Sequence, residues 1–300
     1  MADGMIMRRV ADIIHSDAER RYIVVSAPGK RYSADVKVTD LLYRSAEAAR
    51  SEGCCKEVFA KVRDRFVGIV KELKLDLDIE EILDETEAEI DRTKDSDFAA
   101  SRGEYLSARI MAKLLGVPFL DAKDLIRFDE KGALDESCYD DIAKACGSVP
   151  AAVIPGFYGR SFDGKIKTFS RGGSDITGAV IARGVNAQVY ENWTDVSGFL
   201  ACDPRIVSGA KSIAVLSYKE LRELSYMGAN VLHAESIFPV RKANIPIRIL
   251  NTFRPEDKGT LILPSVHYKK KMPSSIVTGI AGKKDFTVLF VEKSMMNYEV

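Results

Sequence analysis

Apolar residues along the chain switch between helical and extended spacing, and the switches mark out alternating helices and strands. Ile6, Val10, Ile13 and Ile14 predict a helix over Met5 to Ser16. Tyr22-Ile23-Val24-Val25-Ser26-Ala27 is a continuous apolar run closed by Pro28-Gly29, which reads as a buried strand. From 39 to 97, Leu42, Ala46, Val58, Val62, Phe66, Ile69 and Leu73 stand among many charges, predicting amphipathic helices that cover a sheet. A helix is expected over Ser101 to Leu115, a strand over Val149 to Ile154, and a hairpin turn at Asp163-Gly164 before Thr168-Phe169-Ser170. Further on, Ile176 to Arg183 reads as a helix, Ala187 to Trp193 as a strand, and Tyr218 to Met227 as a helix stopped at Gly228. A helix near Val231 to Lys242 then precedes a strand over Ile245 to Leu250.

This alternation predicts an α/β protein with a mainly parallel sheet and helices on both faces. The pattern changes at Ser275, where Ile276 to Ile280 and Phe286 to Val291 flank the polar turn Gly282-Lys283-Lys284-Asp285. That reads as a hairpin opening a second domain.

Composition narrows the function. A chain of 300 residues that is 46% hydrophobic buries a substantial core. Lys plus Arg and Asp plus Glu both number 44, so no net field favours nucleic acid or an anionic membrane, and small metabolites are the expected partners. The five cysteines include the adjacent pair Cys54 and Cys55 and no Cys-x-x-Cys, which implies neither a disulfide framework nor a zinc site. With no leader pattern after Met1 and no apolar stretch long enough to span a bilayer, a cytoplasmic location is expected.

Four segments could carry chemistry. In Thr168-Phe169-Ser170-Arg171-Gly172-Gly173-Ser174-Asp175-Ile176-Thr177-Gly178-Ala179, two glycines and two hydroxyl residues stand where a strand turns into a helix. Glycines let backbone N–H groups approach an anion, and the helix N-terminus adds a favourable dipole. Arg171 can grip a carboxylate in a planar fork, and Asp175 can accept a hydrogen bond or help organise a nucleotide. The same residues serve equally as a tight turn capped by Ser174 or Asp175. Ser101-Arg102-Gly103-Glu104 has capping-box spacing, so Glu104 either returns to the helix start or faces a cleft and binds an ammonium group. Trp193-Thr194-Asp195, followed by Asp203-Pro204-Arg205, falls at the carboxyl end of a strand, where open α/β sheets bind ligands; Trp193 as core and Asp195 as a turn residue is the plainer alternative. Ser26 ends a strand and Thr39 begins a helix, as a cleft residue or as an N-cap. His15, His233 and His267 are widely separated, and no Gly-x-x-x-x-Gly-Lys-Ser/Thr loop is present.

In this order, and with Pro155-Gly156-Phe157-Tyr158-Gly159, Met227 to His233 and Asn251-Thr252-Phe253, the segments resemble the aspartokinases of the amino acid kinase family over about residues 5 to 265. The resemblance implies a three-layer α/β/α sandwich with a mainly parallel central sheet, the amino acid kinase fold, over 1–265. Residues 266–300 would be a linker and the first hairpin of a truncated ACT-like α+β regulatory domain. The implied activity is transfer of the γ-phosphoryl of MgATP to the side-chain carboxylate of L-aspartate, giving 4-phospho-L-aspartate on the way to lysine, threonine and methionine. Arg171 and Glu104 would bind the substrate carboxylate and ammonium, with Thr39, Gly172, Gly173 and Ser174 lining the pocket. Ser26, Thr194, Asp195 and Arg205 would contact ATP, Asp175 and Arg171 would be catalytic, magnesium would arrive with the nucleotide, and the chain would form a homo-oligomer. In the family a first strand carries Lys-Phe-Gly-Gly, whose lysine contacts the transferring phosphate; it is expected to precede the point where this chain begins. Without that charge, transition-state stabilisation would fall by ~3 kcal/mol or more. A catalytically silent aspartate- or nucleotide-binding subunit, or another member of the family, is the alternative.

Overall fold

The computed structural model describes residues 1–170, 172–226, 232, 236–264 and 277–282. Arg171, the Met227 to His233 motif apart from Leu232, the start of the helix expected near Val231 to Lys242, and most of the hairpin expected from Ser275 to Val291 lie outside these residues. Among the described residues no helix is long and apolar enough to cross a membrane.

The N-terminal half is helical. Helix α1 (Gly4–His15) starts where the Asp3 carboxylate accepts from the Ile6 N–H at 2.9 Å, and β1 (Tyr22–Val25) follows. Then come α2 (Val38–Ser51), α3 (Lys56–Leu73), α4 (Ile79–Thr93) and α5 (Ser96–Leu115). Their apolar stripes converge on one core built around Leu42, Phe59, Phe66, Ile69, Ile90 and Met111, all 2% exposed or less. Helices α2 to α4 pack on α5 and one another rather than directly on the sheet, which corrects the expected arrangement. The reason lies in α5, which is buried nearly all round and studded with Ala99, Ala100, Ser101, Gly103, Ser107 and Ala108. Small side chains let helices approach one side of α5 and strands the other.

After two short helical pieces, α6 (Ala122–Leu125) and α7 (Cys138–Gly147), β2 (Ala152–Pro155) runs parallel to β1, with Tyr22 opposite Ala152 and Val25 opposite Pro155. Alternation along β1 sends Ile23 and Val25 into the α1–α5 core, and Tyr22 and Val24 into a second core with Ile142, Ile154 and Val180. The sheet is therefore covered on both faces. A hairpin, β3 (Tyr158–Arg160) with β4 (Ile166–Thr168), turns through Gly164 as predicted. Helix α8 (Gly173–Gly184) packs on both β1 and β5 (Tyr190–Thr194). The rest comprises β6 (Val215–Ser217), α9 (Tyr218–Tyr226), α10 (Phe238–Lys242), β7 (Ile247–Asn251) and β8 (Thr260–Leu263). These strands form one sheet in the order β5-β7-β8-β6, with β5 parallel to β7, β6 parallel to β8 and β7 antiparallel to β8. The result is a three-layer α/β/α molecule with a mainly parallel sheet.

Candidate active site

Some of the candidate residues gather where β1, β2 and β5 end, the edge at which open α/β sheets place ligands. The Gly156 N–H donates to Val25 O at 2.9 Å, tying together the turns that follow β1 and β2. Ser26, Ser174 and Asp175 then line one cavity of about 380 Å³ with Asn192 and Thr252.

Glu104 is a strongly perturbed group in this region. It lies inside α5, which begins at Ser96 under an Asp95 cap, so Ser101 and Glu104 are interior residues and form no capping box. The side chain is 6% exposed, and its Oε2 has no hydrogen-bond partner. Burial pushes its pKa up to about 8, against the opposing pull of backbone N–H groups at Ala27 and its own position. A carboxyl so placed stays neutral at pH 7 unless a cation joins it. The adjacent Gly103 makes this approach possible, since a Cβ there would stand 2.8 Å from Ala27 Cβ and 3.3 Å from Leu42 Cδ1. Thr39 is in the first turn of α2, whose N-cap is Lys37, so its hydroxyl caps no helix. One turn along α2, burial and then the charge of Asp97 raise the pKa of the Tyr43 hydroxyl, which lies beside Thr168, whose own hydroxyl donates to Asp97 at 2.8 Å. The sequence reading missed Tyr43; its i+4 spacing from Thr39 was the available signal.

The loop joining Ser26 to Thr39 is fastened by a buried charge cluster. Arg65 donates to Asp35 at 2.6 Å and to the Gly29 carbonyl at 2.9 Å, and its partner Asp35 also accepts from Arg31. The bond from Arg31, helped by Arg65, holds the Asp35 carboxyl well below the usual carboxylate range.

The glycine loop opens α8. Gly172 is the N-cap with φ 62, a left-handed conformation that glycine adopts without penalty, and no side chain caps the helix. Ser174 and Asp175 are therefore first-turn residues, not caps, and the positive end of the α8 dipole lies at this loop. Phe157, also left-handed at φ 79, braces the loop: its N–H donates to Thr177 Oγ1 at 2.9 Å, and that hydroxyl donates to Gly173 O at 3.2 Å. Such a conformation costs a non-glycine residue about 1–3 kcal/mol, and strain of this kind concentrates at functional sites.

The expected nucleotide residues divide. Thr194 ends β5, where its carbonyl accepts from the Thr252 N–H at 2.8 Å and its hydroxyl donates to the exposed Asp195 at 3.2 Å. Arg205 stands apart on a loop, 87% exposed, bridged to Asp203 at 2.6 Å. Trp193 is half-buried rather than core, stacked by Arg20 at 5.2 Å and donating to Glu191 at 3.0 Å.

The chain belongs to the amino acid kinase family, whose sequence model matches residues 1–251. Aspartokinase 3 of Bacillus subtilis is 36% identical to it over 316 residues, covering 100% of this chain and 68% of the relative. Chloroplastic aspartokinase 1 of Arabidopsis thaliana is 31% identical, covering 99% and 55%. Within the family, the chain is of the aspartokinase type. Among solved structures, Clostridium acetobutylicum aspartate kinase superposes with a TM-score of 0.89 at 51% identity, covering 94% of this chain and 64% of that one. E. coli aspartokinase III, in complex with aspartate and ADP, gives 0.74 at 27% identity, covering 88% and 62%. The chain thus spans between about half and two thirds of these proteins.

Proposed function

We propose that this chain carries the catalytic unit of an aspartate kinase, moving the γ-phosphoryl of MgATP to the side-chain carboxylate of L-aspartate. The observation that carries the reading is Glu104, a buried carboxyl with an unpartnered oxygen and a pKa near 8. Only a cationic group returns it to its ionised form without a large desolvation cost, and the ammonium of an amino acid is such a group. Thr39 and the Gly172, Gly173 and Ser174 loop are the proposed walls of the aspartate pocket, with the α8 N-terminus suited to a carboxylate or phosphate. Arg171 would add its planar fork to the substrate carboxylate.

The chemistry needs little covalent help. The acceptor carboxylate of aspartate is ionised at neutral pH, so one of its oxygens forms the new bond to phosphorus while the bond from γ-phosphorus to the β–γ bridging oxygen breaks, and ADP leaves. No general base is required. Asp175 therefore acts by orienting groups, and the protein's task is alignment and charge shielding between two anions. Ser26, Thr194, Asp195 and Arg205 are the proposed nucleotide contacts, with magnesium entering as part of MgATP. The product enters amino-acid biosynthesis.

ADP release with L-aspartate and MgATP, followed in a coupled assay, tests the reading; activity that persists unchanged in Asp175→Ala and Glu104→Ala refutes it. Calorimetry adds a test independent of turnover. Aspartate binding at pH 7 should release close to one proton from Glu104, measured across buffers of different ionisation enthalpy, and Glu104→Gln should abolish that release.

A further inference from the structure

Tyr190 and Asn192 meet the first turns of α8 at Asp175. Alternation along β5 puts Tyr190, Asn192 and Thr194 on one face, and Glu191 and Trp193 on the other. The Asn192 Nδ2 donates to Asp175 Oδ1 at 2.8 Å and lies 3.2 Å from Tyr190 Oη. The amide nitrogen must face the carboxylate, because an ionised carboxylate only accepts. Tyr190 Oη in turn donates to the backbone carbonyl of Asp175 at 3.2 Å. The strand therefore holds both the side chain and the peptide of this residue. Gly178 makes the approach possible: a Cβ there would stand 2.6 Å from Tyr190 Oη.

We infer that Asn192, backed by Tyr190, is a positioning residue that fixes the Asp175 carboxylate in one rotamer relative to Thr194, two residues further along the same face of β5. This rests on reading Asp175 as the group that organises phosphoryl transfer. Lost alignment is costly in such a reaction, and a side chain locked by its neighbours preserves it. The arrangement ties Asp175 on α8 to the strand that carries Thr194, so that the two groups do not drift against each other.

Asn192→Leu keeps the approximate volume and removes the donor. It should lower kcat about ten- to a hundred-fold while KM for aspartate and MgATP stays within about twofold and the melting temperature is unchanged. Tyr190→Phe should give a smaller loss of the same kind. In an Asp175→Asn background the Asn192→Leu change should add nothing, because it acts through Asp175. The side-chain amide resonances of Asn192, assigned by their absence in Asn192→Leu, should move on Asp175→Asn whether or not the chain turns over. The inference is overturned if Asn192→Leu keeps normal kcat while Asp175→Asn is dead, if the two losses multiply, or if the Asn192 amide ignores Asp175→Asn. Full turnover by Asp175→Asn, or none by the unaltered chain, fails the kinase reading instead, and the amide shift then still decides whether Asn192 holds Asp175.

Discussion

The two sides of the site are built differently. On the proposed acceptor side, Glu104 is buried on α5, Thr39 is half-buried at the start of α2, and the loop between Ser26 and Thr39 is held by the buried Asp35–Arg65 pair. On the proposed nucleotide side, Asp195 is exposed and Arg205 projects from a loop with only Asp203 as its described ion-pair partner. One pocket is preorganised by packing, whereas the other depends on groups that must be gathered when the ligand arrives. A small, polar amino acid offers few contacts, so its site gains most from being rigid in advance. A nucleotide brings enough charge and surface to organise flexible cations around itself.

The sharpest way to break this contrast is Asp35→Ala, which leaves Arg65 buried without its carboxylate. It should cost about 3–5 kcal/mol in denaturant unfolding, together with aspartate affinity, because the loop carrying Ser26 and leading to Thr39 comes loose. Glu104→Gln should act in the opposite direction. The folded pKa of about 8 lies above the ordinary 4.5, so the unfolded chain holds fewer protons between these values and stability falls as pH rises through that window. Removing the titration should therefore stabilise the ligand-free protein by about 2–3 kcal/mol at pH 7 and flatten its pH–stability profile, while aspartate binding is lost. A profile as steep as that of the unaltered chain would show that Glu104 is not the buried titrating group. Gly103→Ala should cost about 1–3 kcal/mol by forcing α5 away from Ala27 and Leu42, and raise KM for aspartate more than for MgATP. Arg205→Ala is the small effect that completes the comparison: an unchanged melting temperature and a several-fold weaker affinity for MgATP in calorimetry. A large drop in stability there would mean that the exposed loop is part of the packed framework after all.

Much of the fold was legible along the chain. The strand at Tyr22, the hairpin at Asp163-Gly164 and the helix after the glycine loop follow from local spacing and turn chemistry, and each lies within a few residues of its predicted place. The layering of α2 to α4 was not legible, because an amphipathic stripe reveals that a helix buries one face without naming what it is buried against. The capping box at Ser101 misled for a related reason: Ser-x-x-Glu is local evidence, and Asp95 had already started the helix six residues earlier. Ser174 and Asp175 fall in the first turn of α8, and the reading of either as a cap fell away once Gly172 proved to be the N-cap.

What the sequence determined by itself, then, is the backbone chemistry of the site: glycines that permit a left-handed N-cap, a helix that starts directly after them, and a strand that ends at Thr194. These are properties of neighbouring residues. Only the tertiary structure decided that Glu104 is desolvated and short of one partner, that Asp35 and Arg65 lock the loop, and that Asn192 reaches Asp175. Burial and pairing are set by groups far apart along the chain, 17 positions for Asn192 and Asp175 and 30 for Arg65 and Asp35, and no local pattern encodes them.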